Sequence, residues 1–209
     1  MKTYGGASPA ERTAKRRAAL CEAALDLLAE GGEERVTVRG VCTRARLNDR
    51  YFYESFRDPA SLLLAVREQV TAQAFAAIGR AIADTEPDPD VRVRAVIEAL
   101  VGFFTEDQRR GHLLIHSQST EELRTARQAS VRAMARVVAD QSATMLGEQA
   151  PPARERELAA LTLVHGILEL FASWLRGELD ITREHLVDFL VAMVRTTEDL
   201  AAALRRQRG

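Results

Sequence analysis

Residues 16–63 read RRAALCEAALDLLAEGGEERVTVRGVCTRARLNDRYFYESFRDPASLL, and the order of apolar runs and breaks in this stretch decides the fold. Leu20, Ala23, Ala24, Leu27 and Leu28 recur at helical spacing, which predicts a first helix from about Ala10 to Glu30. Gly31-Gly32 ends it, because glycine accepts the backbone conformations that follow a helix terminus without a Cβ clash. Thr37 is placed to cap a short second helix through about Ala45, and Asn48 to cap a third over roughly 49–56. In each case a side-chain oxygen can accept one of the orphan N–H groups of the first turn. Only Arg46-Leu47 separates the second helix from the third. Three helices in so short a span, the last two joined by a tight turn, describe a helix-turn-helix module.

The third helix has two unlike faces. Leu47, Phe52 and Phe56 supply an anchoring side, while Asp49, Arg50 and Tyr53 share the opposite side by i, i+3 and i, i+4 spacing, with Tyr51 at its flank. Arg50 has the forked donor that matches guanine N7 and O6 in a major groove. Tyr53 can offer its hydroxyl to a phosphate while its ring stays packed. Thr37 and the starts of the second and third helices direct backbone N–H groups at phosphate oxygens. Asp49 would repel phosphate, so it is read either as accepting from cytosine N4 or as orienting Arg50. Residues 35–50 also hold Arg35, Arg39, Arg44, Arg46 and Arg50 against Asp49 alone, five positive charges to one negative. Arg12, Lys15, Arg16 and Arg17 form a second basic cluster. Such patches, rather than the net charge of −1, decide where a polyanion can dock.

Taken together, residues 16–63 resemble the N-terminal region of the TetR (tetracycline repressor-like) family of transcription regulators. The matching features are the apolar-alanine first helix ending at Gly31 or Gly32, Thr37, Val41-Cys42, Ala45, Leu47, and Tyr53 with Phe56. The resemblance implies that Thr37 and Tyr53 touch phosphates and that Asn48, Asp49, Arg50 and Tyr51 face the bases. Two positions depart from the family pattern. Arg46 stands where glycine is usual in the turn, which implies strain if its φ is positive. Pro59 stands where a lysine often contacts phosphate, and Arg57 is the nearest replacement.

Beyond the module, Asp58 and Pro59 open a fourth helix expected to reach about Asp84, since the proline's missing N–H would be unpaired there anyway. Glu86-Pro87-Asp88-Pro89-Asp90 breaks the chain. Further helices are expected at about 91–106, 109–116, 120–146, 154–176 and 183–206. The expected fold class is all-α: a three-helix helix-turn-helix DNA-binding domain over residues 1–58 and a larger helical ligand-binding and dimerisation domain over 59–209. From Leu158 to Leu175 apolar residues occupy almost the whole helix circumference, and Leu186, Phe189, Leu190, Met193, Val194, Leu200 and Leu204 form a broad stripe on the last helix. Two such helices need a cover, and a second copy of the pair would make a four-helix homodimer interface. The alternative is that both are interior helices of one core. This segment also resembles the dimerising helices of the family, with Gly166 where close approach is expected. A dimer of this kind would present two recognition helices to an inverted-repeat operator on double-stranded DNA.

A cavity for an unidentified small-molecule effector is expected in the larger domain. The candidate wall comprises Phe75, Leu100, Phe103, Phe104, His112, His116, Met134, His165, Glu169, Phe171 and Trp174, although an aromatic or methionine here more often serves as ordinary core than as pocket wall. His112 and His116 are four apart but lack a third ligand, and no metal or cofactor is expected. His165 and Glu169, in the most apolar helix, would need each other, a dimer partner or a ligand if buried. Cys21 and Cys42 fit reduced, structural thiols better than a disulfide framework or zinc site, with redox sensing as the sharper alternative. The polar first fifteen residues and the lack of an uninterrupted 18-residue apolar run point to a soluble, cytoplasmic protein with no membrane partner. A helical enzyme is the first rival, but a di-iron bundle needs paired Glu-x-x-His motifs, and none occurs; nor does a phosphate loop or nucleophile elbow. The second rival is an interaction protein of the same fold that does not bind DNA.

Overall fold

A computed structural model describes residues 8–116, 120–147 and 150–207, excepting the side chains of 116, 145, 146 and 197–207. Among the described residues there is no strand. The helices are α1 (Pro9–Gly31), α2 (Val38–Ala45), α3 (Asp49–Ser55), α4 (Pro59–Ala83), α5 (Pro89–Glu106), α6 (Gln108–His116), α7 (Glu121–Leu146), α8 (Ala153–Leu175) and α9 (Arg183–Gln207). A 3-10 turn at Glu33–Arg35, which the apolar pattern does not foreshadow, leads from α1 into α2. The all-α expectation is met, and most helix ends fall within a residue or two of the sequence signals.

The chain forms two compact units. The first comprises the described residues as far as Ala72 together with Asp107–Arg124; the second comprises Gln73–Glu106 and the described residues from Thr125 onward. Helix α4 therefore contributes its first half to one unit and its second half to the other. The segment carrying α6 belongs to the first unit although the chain on both sides of it belongs to the second.

In the first unit, Ser8 and Glu11 cap α1 reciprocally, each side chain accepting from the other's backbone N–H. Leu20, Ala24 and Leu28 are wholly buried along its inner face, with Val41 of α2 and Phe52 of α3 equally enclosed. Gly32 ends α1 at φ +75°, its N–H donating to Leu28 O at 2.8 Å. Gly40 lets α2 approach closely: a Cβ there would lie 3.0 Å from the Arg35 carbonyl oxygen. Asp58 and Ser61 cap α4 by mutual side-chain-to-backbone bonds, at 2.7 and 3.1 Å. The Ser61 N–H first, and then the Arg57 guanidinium 2.7 Å away, hold the Asp58 carboxyl below its ordinary pKa.

In the second unit, Val131, Ala135 and Ala139 of α7 pack on Ala160 and Val164 of α8, the small side chains allowing close approach. Phe103 and Phe104 of α5 meet edge to face, Phe104 lies 5.6 Å from Phe171, and Phe171 stacks 5.8 Å from Trp174. Leu186 and Leu190 of α9 are buried, and α5 and α9 are tied by Arg94 to Asp188 and Arg195 to Asp90. Helix α8 is long and apolar enough to cross a bilayer by length and composition, yet it contributes Leu163, Val164, Phe171 and Ala172 to this core. It is not buried all round within the chain: Leu158, His165, Gly166 and Glu169 are exposed, as are Phe189 and Met193 of α9.

Candidate nucleic-acid interface

The turn between α2 and α3 sets the geometry. Leu47 N–H donates to Cys42 O at 2.9 Å and Arg46 N–H to Thr43 O at 3.3 Å, the paired bonds of a Schellman ending. That motif needs a left-handed residue, and Arg46 adopts φ 55°, ψ 42°, the sole non-glycine with positive φ among the described residues. The strain expected from an arginine in place of glycine is present in the backbone. The turn delivers Asn48 to the N-cap of α3, where its Oδ1 accepts from Tyr51 N at 3.3 Å. Thr37 does the same for α2, accepting from Gly40 N at 3.0 Å. Each cap consumes one orphan donor and leaves other first-turn N–H groups without intrahelical acceptors.

Helix α3 is anchored as its sequence pattern requires. Phe52 and Phe56 are buried, with ring centroids 5.9 Å apart, and Leu47 is half-buried. On the other side, Asp49, Arg50 and Tyr53 are exposed, Tyr53 by 61%. The Tyr53 ring and hydroxyl are therefore open to any ligand that approaches this face. Arg39 and Arg46 are also exposed. Tyr51 is half-buried, because the Arg16 guanidinium of α1 lies 4.4 Å above its ring. Arg17 grips the far end of α3, stacking on Phe56 at 4.3 Å and donating to Ser55 O at 2.9 Å. Two residues of the basic cluster on α1, Arg16 and Arg17, thus hold α3 in place, a role that charge counting did not suggest.

Four charged residues have partners that the sequence did not foretell. The carboxylate holding Arg50 is Glu54, at 3.0 Å from Nε, where Asp49 had been one candidate. Asp49 instead accepts from the buried Cys42 thiol, which burial chiefly, and this bond next, push upward in pKa. Arg57 is tied to Asp58 at 2.7 Å, so its charge is partly neutralised. Arg44, counted in the basic patch, turns away to Glu30 at 2.7 Å and Asp26 at 3.4 Å on α1. Asp26 in turn accepts from Arg109 of α6 at 2.6 Å, and Arg109 also reaches Asp107 and Glu22. Asp26 is therefore shared by an arginine of α2 and an arginine of α6. No periodicity signals such a junction, since Arg109 is 83 residues from Asp26 and Arg44 is 18.

The expected effector wall does not assemble as a single set. Phe103, Phe104 and Trp174 join Phe171 in the second unit, and the Trp174 indole N–H donates to Ile181 O at 3.0 Å. Phe75 and Leu100 are half-buried in the same unit, and Met134 packs against the α7–α8 core. His112 is half-buried but belongs to the first unit, and the His116 side chain lies outside the described residues, as do those of Leu200 and Leu204 in the expected stripe of the last helix. His165 is exposed, and Glu169 is an exposed partner of Arg176 and Arg127 at 3.4 and 3.9 Å. The apolar sequence around these two predicts burial; the fold leaves their side open instead. No group of three metal-ligating side chains occurs among the described residues.

No sequence-family model matches the chain, and no curated protein does. Solved structures do. One, a transcriptional regulator from Pseudomonas aeruginosa PAO1, superposes with TM-score 0.74 at 22% identity, over 92% of this chain and 94% of its own. A TetR-like transcriptional regulator from Rhodococcus sp. RHA1 gives 0.68 at 18% identity, over 90% and 96%. AibR, solved in complex with isovaleryl coenzyme A and operator DNA, gives 0.62 at 17% identity, over 85% and 97%. At such identities the likeness establishes the fold: this chain has the TetR-like architecture.

Proposed function

We propose that this chain of TetR-like fold is a ligand-responsive, dimeric transcription regulator that represses by binding an inverted-repeat operator, in a cytoplasmic setting. The observation that carries the reading is the construction of α3. One face is locked to α1 by Phe52, Phe56, Arg16 and Arg17; the other presents Arg50 and a largely exposed Tyr53 beside two capped helix starts. A helix fixed so firmly on one side and so polar and aromatic on the other suits a major groove, with the flanking N–H groups and Thr37 on phosphates. Arg39, Arg46, Asn48, Asp49, Tyr51 and Arg57 complete the proposed contact surface.

Dimerisation through α8 and α9 is supported by Leu158, Phe189 and Met193, large apolar side chains left exposed on two helices that also supply core residues. In this arrangement Gly166 and His165 lie on the open side of α8 and are available to a partner. The aromatic group of Phe103, Phe104, Phe171 and Trp174 is the proposed effector wall, with Phe75, Leu100 and Met134 from the same unit. The effector class to test first is an acyl-coenzyme A, by likeness to AibR with its isovaleryl coenzyme A. Because α4 runs through both units, an effector that prefers one conformation of the second can bias the first. Such coupling is typically ~1–3 kcal/mol.

The test is footprinting of the full-length dimer on intergenic DNA beside its own gene, with and without acyl-coenzyme A, alongside Arg50→Ala. Protection of an inverted repeat, weakened by roughly 1–3 kcal/mol in the variant, is expected. If the wild-type chain protects nothing under either condition, the regulator reading fails and an interaction protein of the same fold takes its place.

A further inference from the structure

We propose that Glu54 is a specificity-determining, positioning residue: it holds Arg50 so that only the terminal fork of the guanidinium reads guanine. The inference rests on the DNA-binding reading above and deepens it. Arg50 is open to solvent over 84% of its side chain, yet its Nε donates to Glu54 Oε1 at 3.0 Å. The other carboxylate oxygen, Oε2, lies 3.7 Å from Arg16 Nη2 of α1. Arg16 is itself fixed by stacking over Tyr51 and by donating to Thr13 Oγ1 at 3.1 Å. A chain of contacts thus runs from the rigid first helix through Glu54 to the side chain that faces the groove.

Chemistry gives this chain a consequence. A guanidinium has two donor edges, one made by Nε and one amino group, the other by the two terminal amino groups. With Nε engaged, the terminal edge remains as a two-pronged donor of the shape that guanine O6 and N7 accept. The carboxylate also places a negative charge beside Arg50, so swinging that arginine onto a phosphate brings like charges together. Base contact is spared this cost. Stability is a poor explanation for the pair. Exposed ion pairs contribute little, and an arginine preceding a glutamate by four positions is the less favourable order on a helix.

The experiment uses the full-length chain and a duplex library with a randomised core, from which the wild type selects its preferred sequence. Affinity is then measured for that duplex, for versions with 7-deazaguanine at each guanine, and for a scrambled duplex of equal length. In the wild type, removing N7 at one symmetric guanine should weaken binding roughly tenfold. Glu54→Ala should shrink that penalty and the preference over scrambled DNA, while scrambled-duplex affinity holds or rises. Glu54→Gln, which keeps an oxygen acceptor for Nε but no charge, should restore most of the N7 penalty and still bind scrambled DNA more tightly. On an Arg50→Ala background neither Glu54 variant should alter the response to 7-deazaguanine.

The inference is overturned if Glu54→Ala leaves the N7 penalty and the preference unchanged. It is equally overturned if both affinities fall together with the thermal midpoint, which is the signature of a plain clamp between α1 and α3. If the wild type selects no sequence above background, the DNA-binding reading falls first and this inference with it.

Discussion

Replacing Arg46 by glycine should make the protein more stable and its DNA binding weaker. Arg46 is held at φ 55° because the Schellman bonds of Arg46 and Leu47 to Thr43 and Cys42 require a left-handed residue there. For a residue with a Cβ that conformation costs ~1–2 kcal/mol. Glycine removes the cost but adds ~0.4–1 kcal/mol of conformational freedom to the unfolded chain. The difference is a net gain of ~0.5–1 kcal/mol, or about 1–4 °C in thermal midpoint for a chain of this length. Arg46→Ala is the control: it removes the same charge and keeps the Cβ, so it should give no rise. Both variants should lose phosphate attraction. A dimer contributes two such arginines, so the slope of log K against log salt should become shallower by about 1.8. Differential scanning calorimetry and a salt series of anisotropy titrations measure the two effects separately. If the glycine variant melts lower than wild type, or if glycine and alanine shift the midpoint equally, the strain argument is wrong.

Other consequences are as specific. Arg109→Ala should loosen α6 from α1, because Arg109 donates to Asp26 of α1 at 2.6 Å, and it should release Asp107, which the same guanidinium holds at 2.8 Å. Asp107 is held below its ordinary value of 3.8, chiefly by that arginine, so its share of stability is complete above about pH 4 and lost as pH falls further. The variant should unfold more easily in urea at pH 7 and show a smaller additional loss at pH 3; an unchanged acid limb would refute the assignment. Cys21 and Cys42 are buried, and burial pushes both thiols upward in pKa. They should react slowly with Ellman's reagent in the native protein and quickly in urea, and peroxide should leave DNA affinity unaltered. A peroxide-dependent loss of binding would revive the redox alternative. Phe189→Glu should convert the dimer to monomers in sedimentation velocity. Burying one phenylalanine is worth ~1.5–3 kcal/mol and a two-fold interface counts it twice, so dissociation should rise at least ~100-fold. An intact dimer would place the interface elsewhere.

Read from the amino-acid order alone, the helical class, the two caps Thr37 and Asn48, the anchoring of α3 by Phe52 and Phe56, and the awkward Arg46 were all legible. They depend on neighbours within a few residues: helical period, side-chain oxygens facing their own backbone, and the backbone preference of a single residue. The exposed face of α3 followed from the same period. The pairing of Arg50 with Glu54 lay within that range too, four residues away, but its importance comes from Arg16 on the other oxygen.

Everything that joins distant parts of the chain was settled by folding. Whether Arg44 faces DNA or Asp26, whether α6 packs with the first unit, and whether His165 is inside or outside are questions about partners dozens of residues away. Charge and hydropathy are properties of a residue, whereas an ion pair or a buried face belongs to two surfaces brought together. The apolar girdle of α8 shows the difference most clearly. Its composition announced that the helix must be covered, and only the packing revealed which side the chain covers by itself and which side, at Leu158 and Gly166, it leaves open.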